Sequence, residues 1–343
     1  MDAKTHDAVL IVSFGGPEGM DDVLPFLANV LRGRDIPPER MREVARHYEL
    51  FGGVSPLNGQ NRRLMAALER QLARHGPRLP VYWGNRNWHP FLADTLARMA
   101  ADGVGRVLAF VTSAYSSYSG CRQYAEDIRG AQEAVGAGAP RVDRLRAFYN
   151  HPGFIEANAA GVAAALGQLP EAVRPGAALV FTAHSLPTAM AETCVYEAQL
   201  RETCRLVGEA VGRRDGRLVY QSRSGPPSQP WLGPDVRDHL RALRAAGLTH
   251  VVVAPVGFVS DHMEVVYDLD TEAQALAREL GLRMLRAATA GAHPAFATMV
   301  RELILERTAG APRRFLGPDG AAPDICPVDC CPAPVRRGPP PPG

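Results

Sequence analysis

The sequence has almost no lysine, little net charge and no long apolar run. Lys4 is the only lysine among 38 basic residues, so the positive charge is carried by arginine. The formal net charge of +2 is too small to indicate nucleic-acid binding by itself. No apolar stretch approaches the ~20 residues that a transmembrane helix needs, so we expect no membrane span.

The start of the chain also lacks the apolar segment of a secretory signal, because Met1–Asp7 is polar and leads straight into a strand-like run. We therefore expect a cytoplasmic protein, in which thiols stay reduced. Six cysteines are present, and three of them lie together near the C-terminus. In a reducing compartment a group of this kind binds metal more often than it forms disulfides.

What the chain does contain is an alternation of short apolar runs with helical patterns, which is typical of α/β proteins with parallel sheets. Its 343 residues are enough for two domains. The runs that we predict as strands are Ala8–Phe14, Val81–Trp83, Val107–Thr112 and Val142–Leu145 in the first half and Ala178–Thr182, Leu218–Gln221, Val251–Val256 and Arg283–Arg286 in the second. The apolar positions that predict a first amphipathic helix are Val23, Leu24, Leu27, Val30 and Leu31.

The second half of the chain repeats the order of the first. In each half the third strand follows a short helix that ends in glycine, Gly103 or Gly247. The fourth strand leads into a His-Pro-x-Phe turn that begins at His151 or His293. This repetition predicts two similar doubly wound, Rossmann-like lobes with a cleft between them. Because both histidines recur, we interpret them as structural residues of the turns.

The predicted lobes and a tail divide the chain at residues 1–150, 151–310 and 311–343. Open α/β sheets bind ligands beyond the carboxyl ends of their strands, so the loops after the strands should line the cleft. Residues on those loops without a counterpart in the other half are therefore the best candidates for chemistry. The tail is rich in proline, glycine and alanine, and we expect its end to be disordered or extended.

The run Thr182–Pro187 contains the strongest single candidate. Its histidine, His184, has no counterpart in the matching run of the first half, Phe14–Pro17, so it breaks the repeat at a cleft-facing position. A neutral imidazole ligates iron or accepts a proton near neutral pH. The alternative is a strand-end histidine that only bonds a backbone carbonyl.

An acidic row follows the third strand of the second half. Glu264, Asp268 and Glu272 are spaced at i, i+4 and i+8, so on a helix they share one face. Like charges at this spacing destabilise a helix by roughly 0.2–0.5 kcal/mol per pair. The row is either a solvated surface or a path for a divalent cation or protons. Its apolar neighbours Val265 and Val266 favour the path.

Six short motifs, taken in order, resemble those of the ferrochelatases, and the likeness extends over residues 7–310. The motifs are Ser13–Pro17, Phe51–Leu57, Gly84–Arg86, Thr182–Pro187, Gln221–Pro226 and Gly257–Glu264. The resemblance is strongest to the coproporphyrin ferrochelatases of actinobacteria. It implies a lyase of haem biosynthesis that inserts ferrous iron into a porphyrin. Coproporphyrin III is the expected substrate and protoporphyrin IX the alternative.

The resemblance also implies roles for individual residues. His184 and Glu264 match the pair that faces the porphyrin centre and handles Fe2+, and Asp268 and Glu272 extend that pair outward as an ion path. These roles agree with the chemistry, because metallation removes two pyrrole protons while iron enters and so needs a base and a carboxylate. The positions that match porphyrin contacts are Ser55 and Tyr124 for the macrocycle or its side chains and Arg32 and Tyr48 for the propionates.

Two positions depart from the family pattern. Phe14 stands where some relatives carry a tyrosine that coordinates the product iron, and its phenyl ring has no atom that could replace that ligand. His47 stands where those relatives have an arginine, so recognition of the propionates must differ in detail.

The tail offers three thiols within six residues, Cys326, Cys330 and Cys331, in a segment that lacks apolar residues for a core. A bound metal centre would supply the order that burial cannot. Iron–sulfur centres take four thiolates, and we choose Cys121, just after a strand end of lobe one, as the fourth. Some ferrochelatases hold a C-terminal 2Fe-2S cluster with one ligand from this loop, which supports the choice. Structural zinc stays an alternative, and Cys194 and Cys204 are interpreted as small buried residues.

Two other functions are compatible with this pattern. One is a two-lobed cobalt or nickel chelatase, although such proteins tend to lack the Ser-Asp-His-x-Glu segment and the cysteine tail. The other is a tetrapyrrole- or solute-binding sensor, which would need export or a DNA-binding module. We expect porphyrin and ferrous iron as partners, with no nucleic acid, and we expect a monomer.

Overall fold

The computed structural model describes residues 6–33, 37–225, 228–327 and 329–333, and two parallel sheets organise them. Each sheet has four strands, in the order β2-β1-β3-β4 in the first half and β6-β5-β7-β8 in the second. The identical order confirms the two doubly wound α/β lobes that the repeat predicts. The domain limits at residues 150 and 310 stay predictions.

The elements of the first half alternate as the hydrophobic pattern indicates. They are β1 (Ala8–Ser13), α1 (Met20–Val30), α2 (Pro38–Glu49), α3 (Pro56–His75), β2 (Val81–Asn85), α4 (Leu92–Ala101), β3 (Arg106–Val111), a π-helical turn (Tyr118–Arg122), α5 (Gln123–Val135) and β4 (Arg141–Arg144).

The elements of the second half follow the same plan with additional short helices. They are α6 (Pro152–Gly167), a 3-10 helix (Glu171–Gly176), β5 (Ala178–His184), α7 (Thr188–Ala191), α8 (Tyr196–Ala210), β6 (Arg217–Gln221), α9 (Val236–Ala245), β7 (His250–Ala254), α10 (Met263–Val265), a π-helical segment (Val266–Ala273), α11 (Gln274–Glu279), β8 (Arg283–Arg286), a second 3-10 helix (Ala290–Ala292) and α12 (Pro294–Thr308).

Both faces of each sheet are buried, which is why the strands are continuous apolar runs. In β1, Val9 and Ile11 enter a core shared by both lobes, whereas Leu10 and Val12 enter a second core on the opposite face. The shared core also contains Phe181 of β5. Helices α3, α6, α8 and α12 supply most of the remaining side chains of this core, so the inner faces of the two sheets pack on a shared layer of helices that holds the lobes together.

The loops at the carboxyl ends of the two sheets are joined by hydrogen bonds. The Tyr115 hydroxyl, after β3, donates to the Val256 carbonyl, after β7, at 2.8 Å. The Gln60 side chain donates to Asp261 Oδ2 at 3.1 Å and accepts from the Asp261 backbone N–H at 2.9 Å. The strand ends of both lobes therefore face the same cleft. In the part of the chain described here, no helix combines the length and apolarity needed to cross a bilayer.

Several sequence-based predictions are confirmed with small shifts of strand ends. His151 and His293 are N-caps: their Nδ1 atoms accept from the backbone N–H of Gly153 and Ala295, each at 3.2 Å. Their structural interpretation is confirmed.

The prediction that Leu24 belongs to the apolar face of α1 is corrected, because its side chain is 48% exposed. The buried face of α1 is formed by Val23, Phe26 and Leu27, which are spaced at i, i+3 and i+4, and Leu24 lies outside this face.

The tail after α12 contains no helix or strand within its described residues and lies against lobe one. The Asn150 side chain donates to the carbonyls of Leu316 and Gly320 at 3.1 and 2.8 Å. The Arg146 guanidinium pairs with both carboxylate oxygens of Glu306 at 2.7 and 2.8 Å and is almost fully buried. The predicted disordered end, residues 334–343, lies outside the described residues.

Candidate active site

His184 ends β5, the strand at which the order of lobe two reverses. β5 has β6 on one side and β7 on the other, and crevices of doubly wound sheets open at the carboxyl end of such a strand. His184 Nδ1 lies 2.5 Å from the Ser185 carbonyl oxygen. Because a carbonyl only accepts, Nδ1 carries a proton and Nε2 is left to face the cleft. The strand reaches two residues further than we predicted, so the histidine sits on a rigid element.

Glu264 is the partner of His184 across the cleft. Its Oε1 lies 3.3 Å from His184 Nε2. It occupies the first turn of the helix that His262 caps, and its backbone N–H donates to His262 Nδ1 at 3.1 Å. Gln221, the last residue of β6, donates to the Glu264 carbonyl at 2.7 Å. The two sequence candidates therefore meet, held by the ends of two neighbouring strands.

The pair is charged in the free protein. Burial alone lowers the pKa of His184, but the Glu264 carboxylate outweighs it and raises that pKa to about 9. Burial alone raises the pKa of Glu264, and the His184 imidazolium reverses this and lowers it to about 2. The side chains are 29% and 49% exposed, so the pair is open to the cleft on one side although protein surrounds the rest. At neutral pH the site is an imidazolium–carboxylate pair.

The capping histidine has a different protonation state. Burial lowers the pKa of His262, and the positive charge of His184 lowers it further. A neutral His262 keeps its Nδ1 lone pair free to accept from the Glu264 N–H. His262 therefore fixes the backbone of Glu264 and adds no net charge.

The acidic row continues from Glu264 along a segment that is not a regular α-helix. Residues Val266–Ala273 are π-helical, a wider winding that is found mostly at functional sites. Ser222 donates to Asp268 Oδ2 at 2.5 Å. Burial, together with the charges of Glu264 and Glu272, raises the pKa of Asp268 to about 7. Glu272 Oε2 lies 3.4 Å from Nη1 of Arg237 and forms the outer end of the row.

Lobe one presents a cavity of about 1200 Å3, lined by Arg32, Arg86, Tyr118 and Asp127 among others. The Arg86 guanidinium lies over the rings of Phe14 and Tyr124, 5.6 and 5.0 Å from their centroids, and pairs with Asp127 at 3.0 Å. Phe14 is 36% exposed after β1, the switch-point strand of this lobe. The wall of this cavity therefore carries both arginines and carboxylates.

The predicted porphyrin contacts lie in lobe one, but three of the four are buried. Ser55 is the N-cap of α3, where its hydroxyl accepts from the Leu57 N–H at 3.5 Å. Tyr124 packs beneath Arg86, and Tyr48 packs against Phe26 at 5.9 Å between ring centroids. Arg32 is exposed, beside Asn29, whose Oδ1 accepts from its Nη2 at 2.6 Å. A direct contact is therefore open to Arg32 in this conformation, and the roles of the other three stay predictions.

The predicted cluster thiols come together across lobe one and the tail. The sulfurs of Cys330 and Cys331 are 3.4 Å apart. Burial raises the pKa of the Cys326 thiol to about 11, and its proximity to Cys121 and Cys330 adds to the effect. Within the described residues, no group of three or more His, Cys, Asp or Glu side chains is placed to hold a metal ion, so the cluster stays a prediction.

The two remaining cysteines differ from each other. Cys204 is buried on α8, as expected for a small apolar residue. Cys194 is half-buried and lies near enough to Cys330 for that thiol to raise its pKa, although burial is the larger cause. The prediction that Cys194 is a small buried residue is therefore corrected, because its side chain is only half-buried.

Some residues of the site carried no sequence signal of their own. Ser222 belongs to the motif that begins at Gln221, but only the structure shows its bond to Asp268. Arg237 resembles any surface arginine until its contact with Glu272 is seen. The Tyr196 hydroxyl donates to the His184 carbonyl at 3.0 Å and so holds the end of β5.

Comparison with known proteins decides the family. A sequence profile described as ferrochelatase matches residues 6–308. The chain belongs to the ferrochelatase family. Membership confirms the family that the six motifs predict, and it covers both lobes of the structure.

Individual ferrochelatases share about half of their residues with the chain. The coproporphyrin III ferrochelatase of Streptomyces coelicolor is 54% identical, over 98% of this chain and 96% of its own length. That of Streptomyces griseus is also 54% identical, over 97% of this chain and 95% of its own length. A protein of Rhodopirellula baltica named ferrochelatase is 55% identical over 97% of this chain and 95% of its own length.

Solved structures extend the comparison to more distant chelatases. SirB from Bacillus subtilis with Fe3+ superposes with a TM-score of 0.55 at 12% identity, covering 89% of this chain and 97% of SirB. The sirohydrochlorin chelatase SirB from Bacillus subtilis subspecies spizizenii in complex with cobalt gives a TM-score of 0.51 at 11% identity, over 89% and 97% of the two chains. At such low identity the likeness establishes the two-lobed fold alone.

Proposed function

We propose that the chain inserts ferrous iron into coproporphyrin III and releases Fe-coproporphyrin III (coproheme), as a lyase of haem biosynthesis. The observation that carries the proposal is the His184–Glu264 pair, which lies at the switch point of lobe two and begins a row of carboxylates. The choice of porphyrin rests on relatives 54% identical over nearly the whole chain, which are named coproporphyrin III ferrochelatases.

The first task of the site is to remove protons from the porphyrin, because two pyrrole N–H protons leave as Fe2+ enters. In the free protein His184 already holds a proton, since its pKa is raised to about 9. Binding of Fe2+ to Glu264 neutralises the carboxylate that holds this proton in place. Burial, the largest single influence on this group, then lowers the His184 pKa, and the imidazole becomes a neutral base beside the pyrrole nitrogens.

The second task is to carry charge between the cleft and the solvent. Asp268 follows Glu264 along the π-helical segment, and its pKa of about 7 lets it take up and release protons at neutral pH. Glu272 lies at the exposed end. The row Glu264–Asp268–Glu272 therefore serves as an ion path, which delivers Fe2+ inward and passes the displaced protons outward.

The third task is to hold the porphyrin. Its propionates are carboxylates, and an arginine fork matches a carboxylate with two parallel hydrogen bonds. Arg32 is exposed at the rim of the 1200 Å3 cavity of lobe one and is our choice for such a contact. Ser55, Tyr48 and Tyr124 are proposed as substrate-binding residues that shape the wall of the cleft, since all three are buried beside it.

A direct test is to mix the purified protein with Fe2+ and either coproporphyrin III or protoporphyrin IX without oxygen, and to follow the Soret and visible bands. Coproporphyrin III should be metallated with the higher kcat/KM. His184→Ala should abolish metallation while retaining porphyrin binding, measured by fluorescence quenching. Failure to metallate either porphyrin, or near-normal turnover by His184→Ala, would overturn the proposal or the role of the histidine.

We further propose that Cys121, Cys326, Cys330 and Cys331 hold a 2Fe-2S cluster as a resident cofactor. The donor chemistry fits, because such clusters take four thiolates. The sulfurs of Cys330 and Cys331 are 3.4 Å apart, and Cys121 influences the pKa values of both Cys326 and Cys331. A cluster there supplies a cross-link between the tail and lobe one. Closing so long a loop contributes on the order of a few kcal/mol to stability, by analogy with disulfides.

The cluster is tested by colour and composition rather than by activity. Protein purified without oxygen should be reddish-brown and hold about two irons and two sulfides per chain. Cys121→Ser should bleach it, whereas Cys204→Ser, a buried thiol away from the group, should not. A colourless protein with one bound zinc would contradict the cluster, and a stable cluster in Cys121→Ser would exclude the fourth ligand.

A further inference from the structure

Arg237 occupies the outer end of the acidic row. It lies in the first turn of α9, and its Nη1 is 3.4 Å from Oε2 of Glu272, the last carboxylate of the row. The two side chains are 46% and 37% exposed, so the contact lies at the protein surface. A cation that enters the row from solvent therefore meets Glu272 with a guanidinium already beside it.

A second carboxylate anchors this arginine independently of Glu272. Asp235 is the N-cap of α9, and its Oδ1 accepts from the Arg237 backbone N–H at 2.8 Å and from its Nε at 3.2 Å. The Nη1 group contacts Glu272 while Nε contacts Asp235, so the guanidinium bridges the two. If Glu272 is taken by a cation, Arg237 keeps a partner and need not leave the entrance.

The contact between Arg237 and Glu272 is weak enough to be exchanged. Half-exposed ion pairs contribute little to stability, and a separation of 3.4 Å is longer than a strong charge-assisted hydrogen bond. The inner members of the row are held differently, Asp268 by a neutral hydroxyl and Glu264 by His184. Among the three carboxylates, Glu272 is the one paired with an arginine.

We infer that Arg237 is a gate for divalent cations: it competes with the incoming ion for Glu272 and so sets the apparent KM for ferrous iron. The inference rests on the proposed function, because it assumes that the row carries iron. Arg237 is a positioning residue in this scheme. It contacts neither His184 nor Glu264, so it acts on entry and leaves the insertion step unchanged.

The size of the effect follows from the charge that is removed. A unit charge about 5 Å from a divalent cation, screened by water and by salt at about 0.15 M ionic strength, changes the occupancy of the site roughly three- to fivefold. Arg237→Gln should therefore lower the KM for Fe2+ about three- to fivefold with kcat unchanged. Because exposed charges are screened by salt, the difference should shrink as ionic strength rises.

Arg241→Gln is the matched control. Arg241 lies one turn further along α9 and pairs with Asp238 at 2.8 Å rather than with the row. Its replacement by glutamine removes the same charge as Arg237→Gln. The KM of the Arg241→Gln variant for Fe2+ should equal that of the wild type. In a Glu272→Gln background, Arg237→Gln should have no further effect, because the carboxylate for which the two cations compete is gone.

The two assays separate the gate from the proposed function. The KM for Fe2+ is measured with saturating coproporphyrin III, and binding of Mn2+ alone is measured by electron paramagnetic resonance on the full chain without porphyrin. Arg237→Gln should bind Mn2+ more tightly by a similar factor. An unchanged or higher KM and unchanged Mn2+ affinity, or an equal change in Arg241→Gln, would overturn the gate. A wild type that binds Mn2+ but metallates no porphyrin would instead overturn the proposed function.

Discussion

Replacing Glu264 with glutamine should lower the pKa of His184 from about 9. The reason is that the carboxylate is the main group that raises this pKa, whereas burial lowers it and the smaller contributions of the Ser185 carbonyl and Asp268 remain. At pH 7 about 1% of His184 is neutral in the wild type, and each unit by which its pKa falls raises that fraction up to about tenfold. The imidazole would then be ready to accept a proton, but Fe2+ would have lost its carboxylate.

Nuclear magnetic resonance of labelled imidazoles measures this change directly. The His184 signal is identified by its loss in His184→Gln, and its titration is followed in wild type, Glu264→Gln and the control Glu279→Gln, which removes an exposed carboxylate at the end of α11. Glu264→Gln should also reduce kcat at least about 100-fold. A His184 that still titrates near pH 9 in Glu264→Gln would refute the assignment of the pair.

Three further outcomes are expected. Burial lowers the pKa of His151 to about 3, so as the pH falls the unfolded chain takes up a proton on this histidine before the folded chain does. The free energy of unfolding should therefore fall by about 2 kcal/mol between pH 8 and pH 5. Urea unfolding at several pH values should show this decrease, and His151→Asn, which keeps a capping oxygen for the Gly153 N–H, should reduce it. Glu306→Gln leaves the buried Arg146 guanidinium without its carboxylate and should cost about 3–5 kcal/mol in the same assay, a loss below about 1 kcal/mol counting against the buried pair. Because the pKa of Asp268 is raised to about 7, the carboxylate is charged only above that pH; the KM for Fe2+ should fall as pH rises through 7, and Asp268→Asn should remove this part of the pH profile.

The fold could be predicted from local patterns because each one has a local physical cause. Strands buried on both faces are continuous apolar runs, and the eight predicted runs coincide with the eight strands to within two residues at their ends. The His-Pro turns could be assigned because proline and a capping side chain satisfy the first turn of a helix by themselves. The exposure of Leu24 could not be predicted in this way, because the buried face of α1 is set by α2 and by Met263 and Val266, which pack against the helix.

The chemistry was predictable where it depended on which residue follows which strand. His184 and Glu264 follow separate strands of one parallel sheet, so the topology brings them to one edge, where their side chains lie 3.3 Å apart. The protonation states were not predictable. They depend on burial and on a charge 80 positions away in the chain, which only the folded distance sets.

By itself, the sequence determined the family, the two-lobed α/β plan and the pair that faces the cleft, because motifs and hydrophobic periodicity act over a few residues at a time. Cytoplasmic location and a monomeric state stay predictions from it. Only the tertiary structure decided that Tyr48, Ser55 and Tyr124 are buried, that Cys194 lies beside the tail thiols, and that Arg237 stands at the end of the acidic row. Such contacts join residues far apart in the chain, and distance, burial and charge between them exist only once the chain has folded.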